Sequence, residues 1–181
     1  MKELTSPMDY QFTTERLSMR LMEQQDFDVF QRLYSDPKTM RKICPPLAES
    51  KIHSAFEKAL SNNQQPIKRQ WIWAISHQHK IIGLQSLMAQ STKPDFADIG
   101  MMLLRTANGK MFAEEATTGL VEMGFNRLKF KRIYAHYDAT NLATHRITRK
   151  LGFVFKKDIH AQSKPAIDDK EISCYLQQKN D

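Results

Sequence analysis

A short basic loop between an apolar stretch and a long helical pattern is the first place where residue types suggest chemistry. Residues 99–116 read IGMMLLRTANGKMFAEEA: a predicted strand, a turn containing Arg105, Gly109 and Lys110, and the start of a helix. The first N–H groups of a helix have no partner inside it, and the helix dipole adds positive charge there. The segment therefore fits a phosphate-binding turn or an ordinary strand-to-helix connection, and its residues alone do not decide between them.

The second candidate segment is residues 141–153, NLATHRITRKLGF. Asn141 and Thr144 place polar groups at the start of a short amphipathic helix, and Gly152 is typical of a helix C-terminus. The pattern fits a plain amphipathic helix as well as one that borders a binding cleft.

Hydrophobic periodicity predicts the elements that position these two segments. We predict a strand over 10–22, helices over 26–36 and 49–61, strands around 71–75, 81–84 and 99–104, a helix from Phe112, a strand over 133–137, a helix over 143–151, and strands from Phe153 and over 172–176. The order β-α-α-β-β-β-α-β-α-β-β predicts an α/β (α+β) fold. One mixed, mostly antiparallel sheet would have helices on both faces, as a single domain over 1–181.

Bulk composition limits the class of protein. The chain has 181 residues, 41% hydrophobic and 26% charged, which suits one globular domain. It has neither an apolar run of about 18 residues nor a signal-peptide pattern, so we expect a soluble, cytoplasmic protein with no membrane association. Cys44 and Cys174 are expected to be reduced thiols, and no histidine spacing suits a metal, so no metal is predicted.

The net charge of +7 favours an anionic partner, such as a cofactor phosphate, an acidic protein or nucleic acid. Binding to single-stranded nucleic acid would need aromatic residues among basic ones on an exposed sheet. Trp71 and Trp73, beside Lys68 and Arg69, are the stretch that hints at this. Those tryptophans fit a core or a substrate cleft more simply, so nucleic acid is not the expected partner.

In this order and spacing the segments resemble the GNAT (Gcn5-related N-acetyltransferase) family, and within it the RimJ/RimL branch, which acetylates N-terminal amines of ribosomal proteins. Segments 13–22, 33–40 and 73–87 extend the resemblance over nearly the whole chain. It implies a GNAT-like fold and acetyl-CoA as co-substrate. It also implies direct attack by an amine in a ternary complex, with a protein N-terminus as the expected acceptor. A small-molecule acetyltransferase acting on a polyamine, amino sugar or amino acid stays open, as does a non-catalytic basic domain of the same shape. A monomer and a homodimer are both compatible.

The resemblance also implies a set of cofactor-binding residues along the strand, the loop and the two helix starts. These are Met102, Leu103, Leu104, Arg105, Asn108, Gly109, Lys110, Met111, Phe112, Ala113 and Asn141. The backbone N–H of Met102, Leu103 or Leu104 would polarise the thioester carbonyl. Met111 stands where the family usually has glycine, and we expect a right-handed helical conformation there, which methionine tolerates.

The catalytic groups are less clear, because the tyrosine that many family members carry corresponds to Thr148 here. The resemblance makes Thr144 the candidate proton donor or thiol-orienting group, although its hydroxyl fits a bond back to the helix equally well. Asp98 is the candidate base, acting through water, and it also fits a plain turn aspartate. Tyr134 and Tyr137 are expected in the core.

Acceptor specificity is expected in the first two helices and in residues 157–170. A polyamine site would need clustered carboxylates. Only two neighbouring pairs suggest one in the sequence, Asp26 with Asp28 and Glu114 with Glu115.

Overall fold

Alternating apolar side chains build a central sheet in the computed structural model, which describes residues 6–65, 68–155 and 171–178. The predicted specificity loop at 157–170 lies outside those residues. The strands are β1 Phe12–Thr13, β2 Ser18–Leu21, β3 Gln70–His77, β4 Lys80–Ala89, β5 Phe96–Leu103, β6 Arg132–Asp138, β7 Val154–Phe155 and β8 Glu171–Gln177. Within the described residues they form one eight-stranded sheet, ordered β1-β2-β3-β4-β5-β6-β8-β7.

One parallel pair interrupts an otherwise antiparallel sheet. Strands β5 and β6 run in the same direction, and all other neighbours are antiparallel. A parallel connection needs a crossover, and the long helix between the two strands supplies it. The predicted fold class, a mixed and mostly antiparallel sheet with helices, is confirmed.

The helices divide between the two faces of the sheet. Their bounds are α1 Phe27–Ser35, α2 Pro37–Met40, α3 Glu49–Gln64, α4 Phe112–Glu122 and α5 Leu142–Lys150. On one face Trp73 and Leu87 pack against Leu120 of α4. On the other face Ala74 packs with the α1 and α3 residues Phe30 and Phe56. Alternate side chains of β3 therefore serve two separate cores.

Three element boundaries differ from the sequence prediction. The strand predicted over 10–22 is a hairpin, because Thr14 N–H bonds to the Leu17 carbonyl at 2.9 Å and turns the chain. The Asp36-Pro37 pair ends α1 but also starts α2, since the Asp36 side chain accepts from the N–H groups of Lys38 and Thr39. Strand β5 begins at Phe96 rather than at residue 99.

Among the described residues, no helix combines the length and apolar character that crossing a membrane requires. That residues 1–181 form a single domain stays a prediction.

Candidate active site

A cleft opens where the two parallel strands separate. Strands β5 and β6 pair only over three residues each, from Phe96↔Arg132 to Asp98↔Tyr134. Beyond that point both strands continue, and the gap between them forms a cleft of about 950 Å³. The cleft reaches both faces of the sheet, since α4 and α5 line one side and the segment after α1 lines the other. After the roles expected from the sequence, we call these the cofactor side (α4 and α5) and the acceptor side (the α1–α3 connection).

The backbone of β5 presents polar groups to this gap. Leu104 N–H donates to the Ile82 carbonyl at 2.8 Å, and the ladder with β4 runs from Gly83↔Leu103 to Ala89↔Ala97. Main-chain groups of an antiparallel strand alternate in direction. Met102 therefore turns its N–H toward β4, and Leu103 turns its N–H toward the cleft. Of the three alternatives predicted for the carbonyl, Met102 and Leu104 turn their N–H groups to β4, and Leu103 is the one that faces the cleft. That Leu103 polarises the carbonyl stays a prediction.

The loop before α4 contains two left-handed residues. Gly109 has φ 76°, and Met111, the N-cap of α4, has φ 62° and ψ 9°. Our expectation of a right-handed Met111 is wrong. An N-cap residue lies outside the helix, so the loop sets its backbone, while its carbonyl accepts from Glu115 N–H at 3.2 Å. Met111 pays a steric penalty there that glycine would avoid.

The first turn of α4 is anchored to the β1–β2 hairpin through Glu115. Its carboxylate accepts from the Thr14 hydroxyl at 2.6 Å and from Arg16 Nε at 2.7 Å. The Arg16 guanidinium also donates to the Lys110 carbonyl and lies 4.8 Å from the Phe112 ring centroid. Burial alone would raise the pKa of Glu115, but the bonds from Thr14 and Arg16 outweigh it and hold the pKa below its usual value. This network fixes the loop against the sheet.

The structure brings about half of the predicted cofactor residues into the cleft wall. Those that line it are Met102, Leu103, Asn108, Ala113 and Asn141. Arg105, Gly109, Lys110 and Met111 are exposed beside it, whereas Leu104 and Phe112 are buried. The two exposed cations, Arg105 and Lys110, therefore belong to the loop before α4 rather than to the cleft wall, and the side chain of Phe112 belongs to the core.

The start of α5 borders the same cleft. Asn141 caps the helix by accepting from Thr144 N–H at 3.3 Å, and both residues line the cleft. One turn later, Thr148 is buried, and its hydroxyl oxygen lies 3.0 Å from the Tyr137 hydroxyl. The Tyr137 phenol, on β6, therefore lies beside Thr148, the α5 position at which the sequence analysis noted the missing tyrosine.

Tyr137 is a residue that the sequence analysis assigned to the core alone. It is buried as predicted, yet it lines the cleft, and its hydroxyl also lies 3.1 Å from His145 Nδ1. Burial raises the pKa of Tyr137 above 10, although the hydrogen bond with Thr148 opposes the shift. The phenol therefore stays protonated at neutral pH.

On the acceptor side, Asp98 contacts a histidine that lies between it and the cleft. His136 lines the cleft, and its Nε2 lies 3.4 Å from Asp98 Oδ1. Its Nδ1 lies 2.7 Å from the Ser173 hydroxyl and 3.9 Å from Glu171, which also lines the cleft. Asp98 itself is outside the cleft wall and accepts from the Gln90 amide at 2.8 Å. No motif marked His136 in the sequence; only the β5–β6 pairing brings it to Asp98.

The mouth of the acceptor side carries charges of both signs. The segment after α1 contributes Arg41, Lys42 and Cys44 to its wall. Across the mouth, Asp138 and Glu171 are cross-strand partners on β6 and β8. The Lys42 ammonium lies 3.7 Å from Asp138 and neutralises one of the two carboxylates.

The structure also gives the positions of the candidate metal ligands, the cysteines and the tryptophans. In the described part of the chain no three His, Cys, Asp or Glu side chains gather as a metal site would require. Cys44 is exposed, and burial raises the pKa of the Cys174 thiol to about 11. Trp71 and Trp73 are buried, so the exposed aromatic surface that a nucleic-acid interpretation needs is not formed by them.

Sequence comparison assigns the family. The acetyltransferase (GNAT) domain family matches residues 16–154, and the chain belongs to it; it is an N-acetyltransferase. An uncharacterized N-acetyltransferase, p20, of Bacillus licheniformis is 28% identical over 142 residues, 77% of this chain and 80% of that protein. The uncharacterized protein YkkB of Bacillus subtilis is 25% identical over 154 residues, 84% of this chain and 90% of that protein.

Solved structures support the fold. The spermidine N-acetyltransferase of Vibrio cholerae, in complex with CoA and spermine, is 19% identical with a TM-score of 0.75, covering 90% of this chain and 96% of that one. The ribosomal L7/L12 alpha-N-protein acetyltransferase RimL, in complex with coenzyme A, is 13% identical with a TM-score of 0.74, covering 91% and 95%. At these identities the likeness shows the GNAT fold alone. Members of the family use acetyl-CoA.

Proposed function

We propose that this chain transfers the acetyl group of acetyl-CoA to an amine, and that the amine is the N-terminal α-amino group of a protein, in the manner of the RimJ/RimL branch. The observation that carries the proposal is the cleft between β5 and β6. It passes through the sheet, so a cofactor on one face meets an acceptor on the other. Bound acetyl-CoA supplies a thioester whose carbonyl carbon an unprotonated amine attacks.

The residues on the cofactor side fit the donor. The separated edge of β5 offers main-chain groups to a pantetheine arm, as a strand edge does to an added strand. Exposed Lys110 directly precedes the N-cap of α4, and exposed Arg105 lies earlier in the same loop. The N–H groups of the first turn of α4 lack helical partners and favour phosphate. Asn108, Ala113 and Asn141 complete the wall between these two regions.

Two groups on the cofactor side serve the leaving thiolate. We assign proton donation to the Tyr137 phenol, because it lines the cleft and stays protonated at neutral pH. Thr144, one turn before Thr148 on α5, orients the thiol. The N–H of Leu103 polarises the thioester carbonyl from the strand edge.

The base on the acceptor side is His136, and Asp98 positions it. Asp98 faces Nε2, so Nδ1 is the accepting nitrogen, and it lies 2.7 Å from the Ser173 hydroxyl. That hydroxyl gives its proton to Nδ1 as it takes the amine proton through a water molecule beside Glu171. An α-amine has a pKa near 8, so a neutral imidazole is a sufficient acceptor for its proton. A lysine amine, with a pKa near 10.4, would demand more.

The acceptor mouth supports a protein substrate. Arg41 lies on its wall, and the chain carries a net charge of +7. Both features attract an acidic protein surface. An extended N-terminus can enter a cleft that is open at the acceptor face, whereas the rest of the substrate stays outside.

A second acceptor class has one specific observation in its favour. The cross-strand carboxylates of Asp138 and Glu171 lie together at the mouth and would attract a polyamine. Neither residue belongs to the acidic pairs considered in the sequence. Because Lys42 already neutralises Asp138, we rank this class second.

Initial rates with an acceptor panel test the proposal. The panel holds peptides with a free N-terminus and no lysine, the same peptides with a blocked N-terminus and one lysine, and spermidine; thiol release is the readout. We expect turnover of the free N-terminal peptides only. Turnover of spermidine alone, reduced in Asp138→Asn/Glu171→Gln, would replace the protein acceptor with a polyamine. No turnover of any amine would contradict acetyl transfer to these classes.

A further inference from the structure

A glutamine in the cleft wall has an amide with no partner. Gln85 on β4 is 1% exposed, and neither its Nε2 nor its Oε1 has a hydrogen-bond partner, although the residue lines the cleft. A buried amide without partners costs free energy, and most buried polar groups in folded proteins avoid this state. The unpartnered amide therefore points to a ligand group that completes it.

The side chains beside Gln85 on the same face of the sheet are apolar. Side chains at alternate positions of β4 face α4, and the neighbours of Gln85 on that face, Leu87 and Ala89, pack in the apolar core. An apolar residue would continue that core without penalty. Buried Thr117 of α4 also lines the cleft, but its hydroxyl is bonded to the Ala113 carbonyl.

The position of Gln85 places it beside the path of the cofactor arm. It pairs with Met101 of β5, in the stretch of β5 that has already separated from β6. Gln85, its neighbour Met101 and Thr117 of α4 all line the cleft. A group of the arm that lies in the cleft on the α4 face of β5 therefore meets the Gln85 side chain.

We propose that Gln85 recognises an amide group of the pantetheine arm by donating from Nε2 to its carbonyl. The C=O and N–H of a trans secondary amide point in opposite directions, so the Gln85 amide engages one of the two, and its NH₂ group suits the carbonyl. The proposal rests on the proposed function, since it assumes a coenzyme A thioester in the cleft. It makes Gln85 a binding residue on β4, a strand that none of the predicted site residues occupies.

Gln85→Met tests this, because methionine nearly matches glutamine in size and carries no amide. Binding to wild type and variant is measured by calorimetry with coenzyme A and with 3′-phospho-ADP, its nucleotide half without the arm. We expect about 10-fold weaker coenzyme A binding, the equivalent of one lost buried hydrogen bond, and nucleotide binding within about 2-fold of wild type. The ligand-free variant should melt about 2–4 °C higher, because the buried amide is gone.

Two controls separate the outcomes. Gln64→Met changes an exposed glutamine at the end of α3 and should alter neither binding nor melting. Gln85→Leu repeats the test with a different apolar shape, should methionine pack poorly. Equal coenzyme A affinity in wild type and both variants overturns the proposal; a buried water bonded to Gln85 would give that result. A lower melting temperature of both variants without ligand also overturns it. Wild type that binds neither ligand overturns the proposed function as well.

Discussion

The two sides of the cleft differ in how the sequence encodes them. Most of the cofactor side comes from two contiguous segments, residues 99–116 and 141–153, each of which places a loop before a helix, while Tyr137 of β6 and Gln85 of β4 are added by the sheet. The acceptor side is assembled from separate pieces: Lys42 after α2, Asp98 on β5, His136 on β6 and Glu171 on β8. Most residues of the cofactor site are close in sequence and form a recognisable motif. The residues of the acceptor site are distant in sequence, and only strand pairing brings them together.

The comparison predicts that substitutions on the two sides fail differently. Changes on the acceptor side should alter turnover and acceptor KM while leaving the Kd of coenzyme A unchanged. Changes in the loop before α4 should alter the Kd of coenzyme A more than kcat. The following substitutions test this division.

His136→Ala should give the largest loss. Removing the base lowers kcat about 100-fold with an α-amine acceptor, within the range for general base catalysis. Steady-state rates and calorimetry together measure this, and coenzyme A binding should be unchanged. Asp98→Asn, which keeps a partner for Nε2, should cost less. A loss of coenzyme A affinity in His136→Ala as large as its loss of kcat would contradict the separate roles of the two sides.

Tyr137→Phe should lower kcat about 10-fold while preserving the core, because only the hydroxyl is removed. Burial raises the pKa of Tyr137, so in wild type the phenol remains a proton donor through pH 9, and the variant should be impaired over that whole range. The measurement is a pH profile of kcat. Thr144→Val is the comparison variant: if it alone is impaired, proton donation belongs to Thr144 instead.

Glu115→Gln should lower the free energy of unfolding at pH 7 by about 2 kcal/mol, since Arg16 loses its charged partner. The pKa of Glu115 is depressed in the folded state. Its contribution is therefore complete above the usual glutamate pKa of about 4.3 and disappears as pH falls through the lower folded value. Denaturant unfolding should show wild type and variant converging in acid. Glu122→Gln, exposed on the same helix, should change little.

Met111→Gly should give the smallest effect and a gain. Relieving the left-handed methionine stabilises the protein by about 1 kcal/mol and strengthens coenzyme A binding a few-fold. Thermal unfolding and calorimetry measure both. Lys110→Gly is the matched control, because Lys110 is not left-handed, and it should be destabilised instead. A loss of stability in Met111→Gly would contradict the strain.

The order of elements was predictable because each element has its own period or stop signal. Leu17, Met19 and Leu21 alternate in a strand, and Gly152, with φ 80°, ends α5 as glycine commonly does. What failed depended on groups distant in sequence. The conformation of Met111 is set by a loop that Arg16 and Glu115 hold in place, and the Tyr137–Thr148 contact needs β6 and α5 packed together. No local pattern reports either.

The most direct test of the account is a calorimetric titration of the protein with acetyl-CoA, beside an Arg105→Ala/Lys110→Ala double variant. The loop before α4 carries these two exposed cations, so we expect micromolar binding to wild type and about 10-fold weaker binding to the variant. Absence of binding at near-millimolar acetyl-CoA would contradict the proposal that this cleft holds the acetyl donor.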